Sequence, residues 1–517
     1  MVKNIKTLIV LSVVISLSGM SAFAVPDSVA RKSVKTGSKE SGYAVTHSEK
    51  GDKIECADLG LRVTNIAKRQ HYTGPSSETF DADISSPKSV AFSRDGKKFY
   101  VNSLEGCRTV VYESDTFRKL GVIEYKFPSG EGELWAKPSG YYNFTHYEDG
   151  AKRAFQGKPV ESAWSHNGRY LWVPFYRRTF DINAQDPSAV AVIDTRTDRI
   201  VRMFETGPLP KMIAVSPDNK RVAVTHWGDN TVGLIDISSE NMADWHHLPP
   251  VEIGHKLTLN YSLTSSVNRD SNSGNLLRGT LFSPDSKWLI VSGMAGPLRI
   301  IDVEAGKLVA SASDVSGVRH LALHDGTVYG SCNSAGMVLS FSLDTLLNHA
   351  ESARTAGRRE INAGKVRRTK VGSGARTLSL SPDGKYIFVA CSFASTMYVL
   401  DAATLETVGS VRVDSYPVGL AVSPDGQYVA VTSQGVKGKG GNAVNLFRVE
   451  RDDFKPLDLQ NEEEIARADS IAAAKASMPA EPQQQETPAR TWIWIAAVLG
   501  ALIVAAVVIV LVRRRHR

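Results

Sequence analysis

The residues best suited to chemistry form a column, one per repeat, five positions ahead of a recurring turn. It reads Lys88, Val160, Lys211, Arg278, Arg319, Arg376 and Val418, five of the seven being basic. Cations converging beside low-dielectric walls repel one another and are tolerated best where solvent or an anion screens them. Arginine adds a planar fork that meets carboxylate or phosphate through two parallel bonds. The column therefore predicts an anion-binding funnel, although the same residues would also serve as a solvated rim. His320, next to Arg319, reads either as a general base or ligand group or as a satisfied structural histidine.

A second group is aromatic. Trp135, Tyr141 and Tyr142 lie in one insertion, and Phe175, Tyr176, Arg177 and Arg178 in the next. Tyr, Trp and Arg are the side chains enriched in interface hot spots, and aromatic faces also suit sugars. An insertion of this length needs a small core of its own, which the same aromatics would supply. Other chemistries lack their motifs. The histidines show no H-E-x-x-H spacing, no G-x-S-x-G elbow occurs, and no Cys-x-x-Cys or Cys-x-x-Cys-His is present. No metal or cofactor is implied, and a haem-carrying redox domain would need axial ligands that the sequence does not assign.

The elements that position these residues are strands. The turn appears as Ser93-Arg94-Asp95-Gly96, Ser165-His166-Asn167-Gly168, Ser216-Pro217-Asp218-Asn219 and Ser283-Pro284-Asp285-Ser286. It returns as a shortened His324-Asp325-Gly326, then as Ser-Pro-Asp-Gly at Ser381 and Ser423, which makes seven copies. Pro presets one φ and Gly supplies a positive one, so the motif turns the chain for a stated reason. Alternating apolar runs such as FYVNS after Lys98, VAVTH after Arg221 and MYVLD after Thr396 flank the turns as antiparallel strands. Ser381 and Ser423 are 42 residues apart, about one four-stranded propeller blade.

These turns and strands resemble the YVTN-repeat (YncE-like, lactonase-like) branch of β-propellers, related in shape to WD-repeat proteins. The resemblance implies an all-β, seven-bladed propeller of four-stranded antiparallel blades over residues 61–451. It also implies a functional range that includes pure binding modules and lactonases acting on phosphorylated sugars. LRVTNI after Gly60 reads as an outer strand without a blade, and the last repeat lacks one, so the first strand is expected to close the seventh blade. Wide spacings between turns place insertions at 126–157, 174–188 and 255–275, all on one face. A fourth, at 345–365, lies on the opposite face and has a short helical stretch.

The two ends set the expected location. Residues 1–24 read as a signal peptide: Lys3 and Lys6, a short apolar run, then Ala22-Phe23-Ala24. Residues 25–60 read as a flexible lead-in, and 452–490 as a helical then Pro/Gln-rich linker. Residues 491–512 read as a transmembrane helix flanked by Trp492 and Trp494, and 513–517 as a basic cytoplasmic tail. A processed C-terminal sorting signal shares this outline. The expectation is a monomeric propeller held outside the cytoplasm, periplasmic or extracellular, by a C-terminal anchor.

The formal charge of +7 falls to +1 once the two leader lysines and four tail arginines are set aside. That is a poor match to a general nucleic-acid-binding domain. Cys332 and Cys391 read as buried thiols in neighbouring blades, whereas Cys56 and Cys107 flank the ring closure and could bridge. The leading expectation is a binding or scaffold module for an anionic or carbohydrate-like ligand or a protein partner. The alternative is a lactonase-like hydrolase, although no acid/base pair in the repeats demands one.

Overall fold

Each repeat is pinned by its turn. Ser93 Oγ donates to Asp95 Oδ1 at 2.6 Å and accepts the Lys98 amide at 3.0 Å. The hydroxyl thus ties the turn to the strand that leaves it. The same pair of bonds recurs at Ser216, Ser283, Ser381 and Ser423. Satisfying these polar groups locally lets the flanking strands run straight into the core.

The computed structural model describes residues 39–40, 43–144, 154–179, 181–261, 265–436, 439–457 and 459. These form seven antiparallel blades arranged around a channel. Blade 1 is Pro87–Phe92, Lys98–Ser103, Arg108–Glu113 and Lys119–Glu124. Blade 3 starts at Pro210–Val215, blade 4 at Leu277–Phe282, blade 5 at His320–His324, blade 6 at Ala375–Leu380 and blade 7 at Pro417–Val422. In blade 2 the innermost strand is broken into Ala154–Pro159 and Ala163–Ser165, both paired to Tyr170–Arg178.

Leu61–Gln70 pairs antiparallel with Ala443–Arg451, so a strand from the start of the domain completes the last blade. Leu61 and Val63 enter one apolar cluster with Phe388, Val429 and Phe447. Fully burying such a side chain contributes about 1.5–3 kcal/mol, so the closure is held by packing as well as by its ladder.

Three departures from the sequence reading are structural. Lys53–Cys56, expected within a flexible lead-in, adds a fifth strand to blade 7, and Thr46 Oγ1 donates to the Val413 carbonyl at 2.9 Å. Alternation of Ile54 between charged neighbours was too short a signal to separate from a polar tail. All four cysteines are free thiols, so Cys56 and Cys107 do not bridge. At the far end, Arg451 grips Asp383 through both Nη atoms at 3.0 and 2.8 Å, and the Leu457 amide reaches the Asp425 carbonyl at 3.4 Å. The chain therefore leaves the propeller across the turn ends of blades 6 and 7.

The helix expected within 345–365 spans Leu343–Thr355, capped by Ser342 and seated on Leu346 and Ala350. Among the described residues no helix is long and apolar enough to cross a membrane. The segments 1–24 and 491–512 lie outside the described residues.

Candidate functional site: the mouth of the channel

A backbone device aims the column inward. Two positions ahead of the column residue the chain turns left-handed in six blades: Ser86, Leu209, Leu276, Gly317, Gly374 and Tyr416 have φ between 48° and 79°. For the non-glycine members this costs roughly 1–2 kcal/mol each, so the surroundings must hold it. The Leu209 carbonyl, for example, accepts the Trp227 amide at 3.0 Å, and that of Leu276 the Met294 amide at 3.0 Å. At the column itself the register between the first two strands slips in blades 1, 3, 4, 6 and 7. A β-bulge re-aims the side chain at such a slip.

The result is a ring of cations at the end of the channel opposite the turns. Lys88, Lys211, Arg278, Arg319 and Arg376 are only 5–9% exposed. Most are held by soft groups rather than by carboxylates. Arg278 lies over the Trp227 ring at 4.7 Å and Lys211 over Tyr176 at 3.6 Å. Arg319 Nη1 donates to Met294 Sδ at 2.8 Å, and Arg376 Nη1 to the Tyr416 hydroxyl at 3.4 Å. The ring under Arg278 holds its guanidinium by electrostatic attraction to the π face rather than by an ion pair.

Counter-charge is sparse. Asp270, from the 255–275 insertion, accepts from Arg177 Nη1 at 3.1 Å and from the Tyr176 hydroxyl, and lies 3.7 Å from Lys211 Nζ. Lys88, Arg278, Arg319 and Arg376 have no carboxylate within 4.0 Å among the described residues. Arg278 Nε, Arg376 Nε and Trp227 Nε1 are buried donors without an acceptor there. Each such donor costs about 1–3 kcal/mol until one arrives. Burial, then mutual repulsion, holds Lys88 well below the ordinary lysine range and Arg278 down at about 10.

One acid looks into this ring. Glu161 sits beside Val160, the blade 2 member of the column, and is half-buried. Burial raises its carboxyl, and the charges of Lys88, Arg278, Arg319 and Arg376 pull it back. Its carboxylate makes no direct pair with any of them, so it stands across a gap rather than on a cation.

The structure thus gathers Lys88, Lys211, Arg278, Arg319 and Arg376 at one place. His320 follows on the strand, kept neutral by burial and then by Arg319, down at about 4, with Nδ1 unpartnered among the described residues. Of the aromatic group, Trp135, Phe175 and Arg178 are 8%, 0% and 4% exposed. They build the insertion's own core with Phe127 and Phe155, and Arg178 caps the Phe155 ring at 5.1 Å. They offer no surface to a partner, which corrects the expectation for these three. Tyr141 and Tyr142 stay at the rim, while Tyr176 and Arg177 turn toward the channel.

Glu161, Trp227, Asp270, Met294 and Tyr416 were not singled out in the sequence. Trp227 and Met294 directly follow the second strand of their blades, and Tyr416 precedes the column by two, so a position-by-position alignment of the repeats would have marked them. Asp270 had no such signal, because it arrives on an unrepeated loop.

These blades define the class: a seven-bladed antiparallel β-propeller. No protein-family model matches the chain. Antigen Lp49 of Leptospira interrogans is 22% identical over 275 residues, covering 48% of this chain and 51% of that protein. The chain thus spans about half the length of this curated relative. Among solved structures, Kuenenia stuttgartiensis hydrazine synthase aligns with a TM-score of 0.48 at 16% identity, over 74% of this chain and 100% of that one. The β-propeller domain of Myceliophteria thermophila Cps50 (Swd1) aligns at 0.48 and 13%, over 74% and 99%. A chain of the mitotic checkpoint complex aligns at 0.48 and 12%, over 75% and 95%.

Proposed function

We propose that this propeller is an exported, membrane-tethered binding module of the cell envelope whose channel mouth takes an anionic small ligand, a carboxylate, a phosphate or an acidic sugar. One observation carries the reading: four buried cations converge with no carboxylate within 4.0 Å among the described residues, and Arg278 Nε and Arg376 Nε have no acceptor there. A soluble anion would satisfy those donors and relieve the repulsion together. The export and anchor come from the sequence of the two ends. Since the chain leaves across the turn ends, a C-terminal tether would leave the mouth pointing away from the membrane. Membership of the YVTN-repeat branch belongs to the same proposal and is supported by the turn and strand pattern.

A thermal-shift series on the full chain in detergent tests it, with inorganic phosphate, citrate, glucuronate and 6-phosphogluconate. A ligand at 100 times its Kd adds about 2.7 kcal/mol of stability. An anion that stabilises the native chain but not an Arg278→Glu/Arg376→Glu variant supports the site. Equal shifts in both proteins would sink it.

A lactonase-like hydrolase is the second reading, favoured by Glu161. An acid facing arginines across a gap could move a proton while a cation holds the developing oxyanion. Turnover of a phosphorylated sugar lactone that Glu161→Gln abolishes without loss of anion binding would favour it over binding alone.

A further inference from the structure

Beside the channel mouth lies a cleft of ≈ 350 Å³ walled by Tyr141, Tyr142, Tyr261 and Pro208, with Asp229 and Lys256 among its polar groups. Its chemistry is the reverse of the channel's. Tyr141 and Tyr261 leave 40% and 42% of their surface exposed, among the few large rings that do so. Tyr142 is braced edge-on against His226 and His247, both at 5.7 Å. Asp229 is 2% exposed and fixed, its Oδ1 accepting the Thr231 amide at 3.2 Å and hydroxyl at 2.8 Å.

The histidine behind it supplies no positive charge. His226 Nε2 accepts the Gly207 amide at 3.2 Å, so Nδ1 carries the proton and donates to Thr231 Oγ1 at 2.8 Å. Burial holds that ring down at about 3 and therefore neutral. Asp186 and Glu205 add negative field, felt at Tyr261 and Tyr142 respectively. Lys256 opposes them, but no ion pair joins it to Asp229 within 4.0 Å. Asp229 and Lys256 are the charged groups on the lining, the fields of Asp186 and Glu205 reach it from behind, and its walls are tyrosine and proline.

We infer that this cleft is a second ligand site, selective for an organic ammonium group, primary or quaternary, held by the tyrosines and paired with Asp229. Tyrosine rings attract a cation most when it is partly desolvated, as a group of this size in a cleft would be. An inorganic cation lacks the apolar surface to gain from the tyrosine and proline walls. A free anion would meet Asp229. The inference is independent of what fills the channel.

The test is calorimetric titration of the full chain in detergent with choline and with tetramethylammonium, sodium chloride serving as the ionic control and N-acetylglucosamine as the neutral arm. Saturable binding of both ammonium probes is expected, weakened about tenfold by Tyr261→Ala. Asp229→Asn should weaken it as well. Because Asp229 is buried, that variant is read beside the exposed-loop change, which leaves the core untouched. Arg278→Gln should leave ammonium binding as it was, so failure here is separable from failure at the channel. Heats that match sodium chloride, or saturation by the sugar alone, would overturn the proposal.

Discussion

The channel mouth and the tyrosine cleft hang on the same two loops, yet one is lined by cations and the other by tyrosines with a buried aspartate. The loop after the second strand of blade 3 gives Trp227 to the first and Asp229 to the second. The 255–275 insertion gives Asp270 to the channel and Lys256 and Tyr261 to the cleft. The cations of the channel come from equivalent positions in successive blades, so the repeat itself concentrates them. Most of the cleft's wall comes from insertions, which each blade makes differently. A repeated scaffold collects one kind of charge at its axis, and irregular loops supply whatever breaks that symmetry.

The largest test of this contrast is at the axis. Replacing Arg278 and Arg376 by methionine removes two sets of charge-assisted donors, each contributing about 1.5–3 kcal/mol to a bound anion. Anion affinity measured by titration should fall at least as far as two such bonds imply, and ammonium binding should not change. The ligand-free variant should melt no lower than the native chain, because unpaired buried charge is costly. A lower melting temperature together with unchanged anion affinity would show that the ring is structural.

Phe175→Ala probes the insertion's core. A fully buried phenylalanine replaced by alanine loses about 3–5 kcal/mol, read by denaturant unfolding. If the loss is under 1 kcal/mol, the insertion is not packed as described.

Asp270→Asn separates the two sites by their shared loop. It removes the carboxylate that lies on Lys211 and Arg177, and anion affinity should rise about tenfold, a change near 1.4 kcal/mol. No rise would place Lys211 outside the site.

The smallest effect is one of pH. Burial raises Asp229 to about 6, above its ordinary 3.8, so its contribution to stability is full below 3.8 and lost as pH rises through 6. Around it stand Thr231, Lys256, Glu252 and the neutral His226. An ammonium ligand relieves the ionised form, so stabilisation by choline should grow between pH 5 and pH 8. A flat profile would remove Asp229 from the cleft's chemistry.

Much of this is legible in the sequence. The turn at Ser93 or Ser423 is closed by atoms within five residues, and the strand pattern beside it has a period of two, so blade number and boundaries follow from neighbours in the chain. The column is legible for the same reason: its members hold one position in successive repeats. The closing strand from Leu61 could be inferred because one repeat lacked what the N-terminal stretch had in excess. Lys53–Cys56 could not, since its pairing depends on a strand that is itself out of sequence.

What the tertiary structure alone decided is which side chain meets which. Whether Phe175 lines a surface or a core turns on Phe127 and Phe155 arriving from a separate insertion. Whether the cations keep counter-ions turns on Asp270, which reaches Lys211 on a loop with no counterpart in other blades. Glu161 comes within the field of the ring from the break in blade 2's innermost strand, between Ala154–Pro159 and Ala163–Ser165. Local turn chemistry and repeat period are properties of neighbouring residues, and so are written in order along the chain. Burial and charge balance belong to contacts between distant loops, and only the closed ring brings those loops together.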